Sequence, residues 1–329
     1  MRLLRNIIIA IGCIAAAVLC TAVDINAQSS LLTGPSLGFT PDNTGSIRPI
    51  LGVPGAAFLG DPHELEATIH GVVISPKQDF AVGVNTLDAQ IMVLDLSIKP
   101  TVVRPVDGAY TEAQVIAISP SGSAAAVFDG SAQTILVIGG LPRSPQLLHS
   151  MDATRVPGRG TVMAVSDGGE IVLARFVDGA SDSLWMMASS GASWPITNDR
   201  PAAAAFFPKS RNAVVTDPSG ASLVLETDGA AARIPLVASS ESPSVFSSVS
   251  TSEDGRQVFL ADANSGVITI VDMETQTPTF VDCRCRPTGF YRLKGTSVFR
   301  LTEPSGEPVM VLDASSNEPR IVVIPTGGR

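Results

Sequence analysis

The chain has 329 residues, a formal net charge of −9, 16% charged residues and a mean hydropathy of +0.30. This composition excludes a disordered protein, because disordered chains are highly charged and poor in apolar residues. It also lacks the basic footprint that nucleic acid requires and the Lys/Arg cluster that an anionic membrane surface attracts, so neither partner is predicted.

Residues 1–27 are typical of a secretory signal peptide. Arg2 and Arg5 give it a positive start, residues 7–23 are almost wholly apolar, and Ala27 ends a plausible cleavage site. An uncleaved anchor helix is the alternative, although the apolar run is shorter than the ~20 residues that cross a bilayer. We therefore predict an exported protein, periplasmic or extracellular, without a membrane span after cleavage.

Residues 28–68 form the next segment, an N-terminal hairpin and a connecting loop. Residues 37–51 indicate a hairpin around a Pro-Asp-Asn-Thr-Gly turn, whereas residues 53–68 do not continue as strands. The segment is interpreted as a partial blade of the propeller predicted below. The alternative is a hairpin outside a six-bladed ring.

From residue 69 to 329 one pattern recurs six times. Each copy can be aligned on an anchor residue at its first turn, and the anchors are Ser75, Ser119, Ser166, Phe207, Ser252 and Leu293. Each copy reads as an apolar strand A, a tight turn, a strand B, a second turn, a β-branched strand C and a weaker strand D. The spacing is typical of four-stranded propeller blades, which repeat every ~40–45 residues.

The fold prediction follows from this repeat. It is an all-β fold, a single β-propeller of short four-stranded blades, with six recognisable repeats and a seventh partial blade at the N-terminus. No segment shows a long helical period with caps, so almost no helix is expected.

The sequence also resembles a known repeat family. The run VIAISPSG at residues 115–122, followed by AVF at 126–128 and QTILVI at 133–138, resembles the YVTN/WD40-like repeats of exported bacterial β-propellers. The likeness covers residues 69–325, but no copy carries the YVTN tetrapeptide and no strand C ends in Trp-Asp. It implies a propeller outside the cytoplasm and says little about function, because propellers host many unrelated activities.

The most regular polar feature lies ten residues after the anchor. It comprises five residues, namely Asn85, Asp129, Asp217, Asp262 and Glu303. They are predicted at the turns between strands B and C, on the face that also carries the connections between blades. There they could hold a cation such as Ca²⁺ or a polyhydroxylated ligand. The alternative, which we favour, is that each caps its own turn. No cofactor is predicted beyond this option of Ca²⁺.

Two further features fall on the same face. Arg159 and Arg200 lie in connections between blades, where they are either solvated ion pairs or a clamp for an anionic ligand. In an extended segment, Cys283 and Cys285 would have Cα atoms about 6.6 Å apart, at the outer edge of disulfide reach. A local bend could close a disulfide there, and two reduced thiols or a metal or redox role are the alternatives.

The functional prediction is a non-catalytic binding or interaction propeller whose partner is an unknown protein or small ligand. The alternative is a metal-dependent hydrolase similar to lactonase-type propellers, in which Asn85, Asp129, Asp217 and Asp262 would hold a divalent metal. A third hypothesis is a subunit of an envelope assembly with an exposed apolar patch. No catalytic residue is predicted. Convergence of the four side chains on one point would favour the hydrolase, whereas turn capping would count against it.

Overall fold

A computed structural model describes residues 34–42, 45–63, 65, 68–111, 115–227, 230–238, 246–304 and 307–326. In this part of the chain the secondary structure consists of strands and turns, without a helix, arranged as seven sheets of a β-propeller. The predicted fold class is confirmed. No helix in the described ranges is long and apolar enough to cross a membrane. The predicted signal peptide, residues 1–27, lies outside the described residues.

Blade 1 is the N-terminal sheet, which has three strands within the described residues. It contains β1 (Ser36–Pro41), β2 (Ile47–Val53) and β3 (Ala56–Leu59). The strands are antiparallel neighbours, and the β1–β2 turn places Gly45 at a φ of +82°. Glycine tolerates this left-handed conformation because it has no Cβ. The hairpin predicted at residues 37–51 is therefore part of a blade of the ring. The prediction that residues 53–68 do not continue as strands was wrong, because Ala56–Leu59 pairs with β2 as the third strand.

The other six blades match the six predicted repeats, and each is an antiparallel four-stranded sheet ordered as in the sequence. Blade 2 contains β4 (Ile69–Ile74), β5 (Phe80–Asn85), β6 (Gln90–Asp95) and β7 (Val102–Tyr110). Blade 3 contains β8 (Ile116–Ile118), β9 (Ala125–Asp129), β10 (Thr134–Gly139) and β11 (Gln146–Asp152). Blade 4 contains β12 (Arg159–Val165), β13 (Ile171–Asp178), β14 (Ser181–Ala188) and β15 (Ser193–Thr197).

The second half of the ring follows the same scheme. Blade 5 contains β16 (Ala203–Phe206), β17 (Ala213–Asp217), β18 (Gly220–Thr227) and β19 (Ala230–Ala238). Blade 6 contains β20 (Phe246–Thr251), β21 (Gln257–Asp262), β22 (Val267–Asp272) and β23 (Pro278–Asp282). Blade 7 contains β24 (Tyr291–Arg292), β25 (Val298–Arg300), β26 (Val309–Asp313) and β27 (Arg320–Ile324).

The anchor serines have the same structural role in several repeats. Ser119 is fully buried, and its Oγ accepts a hydrogen bond from the backbone N–H of Ala124, 3.1 Å away. Ser166 and Ser252 accept equivalent bonds from the residue five positions later, at 3.0 and 2.9 Å. Each serine thereby closes the turn between strands A and B and provides an acceptor for a backbone N–H of that turn.

Packing between blades forms the core. Seven clusters of buried apolar side chains are found among the described residues, and each joins two neighbouring blades. Strands B and C are buried on both faces, which is why strands such as Ala125–Asp129 are continuous apolar runs. One cluster links blade 1 to blade 7 and another links it to blade 2. Blade 1 therefore closes the ring.

A buried glutamine hydrogen-bonds to both blades at the point where the ring closes. Gln78 is 3% exposed, and its Oε1 accepts a bond from the N–H of Phe39 in β1, 2.5 Å away. Its Nε2 donates to the carbonyl oxygen of Arg292, also at 2.5 Å. The N–H of Lys294 adds a bond to the carbonyl of Leu37 at 2.7 Å. Blades 1, 2 and 7 are thus held together around one polar side chain.

Candidate functional site

A channel passes through the centre of the ring, with a cavity volume of about 790 Å³. It is lined by the first strand of each blade, because these strands pair on one edge only and turn the other edge toward the axis. Most of the side chains that line it are apolar and include Val72, Ala117, Met163, Val249 and Phe290. The channel therefore combines free strand edges with an apolar wall, an arrangement suited to small-molecule binding.

Arg292, in β24, lies at one end of this channel and also lines a second cavity of about 540 Å³ just outside it. Its Nη2 donates to the carbonyl oxygen of Thr251, and its Cζ lies 5.3 Å from the centre of the Phe299 ring. Its Nη1 is buried and has no hydrogen-bond partner within the described part of the chain. Burial lowers the pKa of Arg292, and the negative charge of Glu253 opposes that shift.

The second cavity is the mouth of the channel on the face of the A–B turns. We call this the A–B mouth, and it is lined by Lys77, Lys209, Lys294, Arg292 and Glu253 together with turn residues. The whole sequence has four lysines, so three of them line this one cavity. All three lysines are exposed. The A–B mouth is therefore positively charged although the protein carries a net charge of −9.

A nearby carboxylate is engaged in joining blades. Asp167 Oδ1 accepts a bond from the N–H of Ser121 at 2.7 Å, and its Oδ2 accepts one from the N–H of Lys209 at 2.6 Å. Burial alone would raise the pKa of Asp167, but these hydrogen bonds lower it overall. The carboxylate thus ties the A–B turns of blades 3, 4 and 5, and its charge is directed at backbone donors.

At the opposite end of the channel, Glu303 is the one predicted face residue that lines the cavity. Its Oε2 accepts a bond from Arg300 Nη1, 2.7 Å away, and Arg300 is only 2% exposed. The Arg300 guanidinium also lies 3.8 Å from the centre of the Tyr291 ring. This end therefore contains a neutralised ion pair, in contrast to Arg292.

The four other predicted residues lie at the B–C turns, as expected, and each bonds to its own turn. Asn85 Oδ1 accepts from the N–H of Leu87 at 3.1 Å. Asp129 and Asp262 accept from the N–H of the residue two positions later, at 2.9 and 2.8 Å, and also from the Oγ of a turn serine. None of these three lines the channel. Their geometry matches the turn-capping alternative.

Asp217 has the most extensive contacts of the set. It is 1% exposed, accepts two bonds from Ser219, and lies 2.5 Å from Arg233 Nη2. Thr197 donates a further bond to its Oδ2 at 3.2 Å. Burial would raise the pKa of Asp217, but the bonds from Ser219 and Arg233 lower it overall. Its oxygens are therefore occupied by structural donors.

The predicted arginines and cysteines lie away from the channel lining. Arg159 begins β12 and Arg200 adopts a φ of +43° in the loop before β16, and both are exposed. Cys283 and Cys285 form a disulfide, with Cα atoms 5.1 Å apart. The intervening Arg284 has a φ of +49°, which supplies the bend that the sequence required. Cys283 is buried in the cluster between blades 6 and 7.

Among the described residues, no group of three or more His, Cys, Asp or Glu side chains could hold a metal ion. The basic residues of the A–B mouth were missed by the sequence-based interpretation. A signal was present, since Lys77 and Lys209 both lie two positions after an anchor and Lys294 lies one position after another. Their convergence depends on the ring bringing those turns together.

No protein-family model and no curated protein sequence matches the chain. Solved structures with a similar fold include a proposed 6-phosphogluconolactonase from Bacteroides uniformis, which is 14% identical. The match covers 88% of this chain and 96% of that one, with a TM-score of 0.57. The hydrazine synthase of Kuenenia stuttgartiensis is also 14% identical, with coverages of 93% and 99% and a TM-score of 0.52. At such identities the similarity establishes the propeller fold alone.

Proposed function

We propose that this protein is a non-catalytic binding propeller that takes a small ligand into its central channel. One contrast carries the proposal. The channel offers about 790 Å³ beside Arg292, which forms no ion pair with any described carboxylate, whereas the polar side chains at the B–C turns are occupied by their own turns. A cavity of this size, lined mainly by apolar side chains with polar groups among them, is typical of ligand sites.

The hydrolase alternative has less support from the same geometry. A calcium-dependent site needs several oxygens within ~2.3–2.6 Å of one point. Asn85, Asp129, Asp217 and Asp262 belong to four different blades, and each directs Oδ1 at donors of its own turn. The name of the proposed lactonases among the similar structures makes hydrolysis of a sugar lactone worth testing, and we expect none.

We further propose that the protein acts in the cell envelope or outside the cell. The signal-like sequence of residues 1–27 and the Cys283–Cys285 disulfide support this location. Disulfides persist in oxidising compartments and are rare in the cytosol. The YVTN/WD40-like repeat resemblance is in keeping with this proposal.

The proposed function is tested with N-phenyl-1-naphthylamine, a neutral fluorophore that brightens in apolar surroundings. We expect saturable binding of one molecule per chain. Ser250→Phe fills the channel from blade 6 and Ala117→Phe fills it from blade 3, since both positions line it and are partly buried. Each variant should abolish the fluorescence increase while its thermal unfolding stays close to that of the wild type.

Two outcomes would contradict this function. The first is the absence of saturable binding by the wild type. The second is unchanged binding by both folded channel-filling variants. Separately, 6-phosphogluconolactone is incubated with the protein in 1 mM Ca²⁺, and hydrolysis above the spontaneous rate that disappears with chelation and in Asp217→Ala would establish the enzyme instead.

A further inference from the structure

Arg292 is a half-buried cation, and the negative charge of Glu253 acts on it without forming an ion pair. An arginine stays protonated at neutral pH. Burying such a charge is costly unless it is paired and hydrogen-bonded. In the described part of the chain no carboxylate lies within 4 Å of its guanidinium, and one of its two terminal nitrogens has no acceptor. Because Arg292 lines both the channel and the cavity outside it, a ligand with an acidic group could supply the missing ion-pair partner.

Arg300, a second arginine that lines the channel, is paired differently. Arg300 is 2% exposed, pairs with Glu303 at 2.7 Å and donates to the carbonyl of Thr302 at 2.7 Å. Both arginines line the same channel. The fold therefore neutralises one channel arginine internally and leaves the other with a backbone carbonyl as its acceptor.

The approach to Arg292 from solvent is positively charged. Lys77, Lys209 and Lys294 line the A–B mouth with it, and Glu253 is the one carboxylate among the lining residues described there. A cationic opening on an acidic protein concentrates anions locally and raises their association rate. Lys294 is held by its N–H bond to Leu37, so its turn has a fixed place at the seam between blades 1 and 7.

Beyond Arg292 the character of the channel changes. The side chains that line it toward the centre of the ring are mainly aliphatic or aromatic, such as Val72, Met163 and Phe290. An acidic group attached to an apolar body would satisfy both regions at once, whereas a strongly hydrated anion would leave the apolar wall without a partner.

From this arrangement we infer that the ligand is an elongated organic anion, bound with its acidic group at Arg292 and its apolar body in the central channel. The inference rests on the proposed function and names the ligand class for that same site. The three lysines of the A–B mouth attract the anion but do not bind its acidic group in the final complex.

The test displaces N-phenyl-1-naphthylamine from the wild-type protein with decanoate, decanol, decyltrimethylammonium and gluconate. We expect decanoate to bind at least tenfold more tightly than each of the others, because a charge-assisted bond and apolar burial act together. Arg292→Met should remove the preference for decanoate over decanol, while Arg292→Lys should retain part of it. The matched control is Arg143→Gln, an exposed arginine in the β10–β11 turn, which should change nothing.

The outcomes separate the two proposals. Equal affinity for decanoate and decanol in the wild type would overturn the anion inference and leave channel binding intact. Gluconate binding as tightly as decanoate would overturn the apolar-body part. If Arg292→Met does not fold, the affinities of the wild-type protein decide the question. In that case, raising NaCl from 50 to 500 mM must lower the affinity for decanoate and leave the affinity for decanol unchanged. If the wild-type protein does not bind the naphthylamine probe at all, the proposed function itself is contradicted.

Discussion

The two faces of the ring use charged residues in opposite ways. On the B–C face, Asp129, Asp217 and Asp262 are the last residues of strand B and accept bonds from donors within the next few residues. On the A–B face, Lys77 and Lys209 lie in the turns after strand A, and both residues are exposed and line an open cavity. Regularity along the sequence is therefore no guide to function here, because the more regular set serves the turns.

The difference has a chemical origin. An aspartate side chain is short and can accept bonds from backbone N–H groups two or three residues later, so a turn can use it fully. A lysine has three donors on a long flexible stem and cannot cap such a turn in the same way. Acids at turns are thus readily absorbed by local structure, whereas lysines there extend toward solvent or a ligand.

Among the variants that test the roles of the two faces, Asp217→Ala is expected to have the largest effect, a loss of stability. The change removes the charge-assisted bonds from Ser219 and leaves the half-buried Arg233 without its carboxylate. We expect the free energy of unfolding to fall by about 2 kcal/mol in urea denaturation. Probe binding in the channel should remain unchanged.

The matched control for this prediction is Asp178→Ala, which removes an exposed acid at the corresponding turn of blade 4. Its stability should stay within about 0.5 kcal/mol of the wild type. A loss of channel binding in Asp217→Ala with unchanged stability would reverse the roles assigned to the two faces.

An intermediate effect is expected in acid. The pKa values of Asp217 and Asp313 are lowered below the usual 3.8, since bonds from serine and arginine side chains outweigh the opposing effect of burial. Their contribution is present above the unfolded-state pKa and is lost as the pH falls through the lower folded-state pKa. Unfolding free energies measured from pH 5 to pH 2 should therefore decline below about pH 4.

The variant Asp217→Asn isolates this contribution. It should be less stable than the wild type at pH 7 and should lose less stability between pH 4 and pH 2. A wild-type curve that stays flat over this range, or a variant that follows the wild-type slope, would show that the carboxylates of this face are not the acid-sensitive elements.

The smallest effect concerns the rate of ligand association. Replacing Lys77, Lys209 and Lys294 together by Gln should slow decanoate association by about three- to tenfold in 50 mM NaCl, because steering by exposed charges acts at long range. In 500 mM NaCl the difference should almost vanish, since the Debye length falls well below 10 Å. Stopped-flow fluorescence with the naphthylamine probe measures both rates.

The fourth lysine provides the control. Lys99 is exposed in the turn between β6 and β7 and does not line the A–B mouth. Lys99→Gln should leave the association rate within error of the wild type. A slowing by Lys99→Gln equal to one third of the triple variant's effect would assign the steering to net charge instead of to the mouth.

Much of the fold could be predicted because its determinants are local and repeated. The anchor serines close their turns within five residues, and strands B and C show as apolar runs because both of their faces are buried. Blade 1 was harder to predict from the sequence. It departs from the four-strand pattern within the described residues, and its place is fixed by Gln78 and Lys294, which are distant in sequence.

The sequence by itself determined the all-β class, the six repeats, the turn positions of Asn85, Asp129, Asp217 and Asp262, and the proximity of Cys283 to Cys285. These features depend on residues within one blade. Only the tertiary structure decided which polar groups remain available. Asp217 is occupied by Arg233 across its own blade. Arg292 Nη2 donates to Thr251 of the neighbouring blade, whereas its Nη1 has no acceptor in the described part of the chain. A site at the axis of a ring is assembled from seven separate blades, so its composition cannot be read from any one of them.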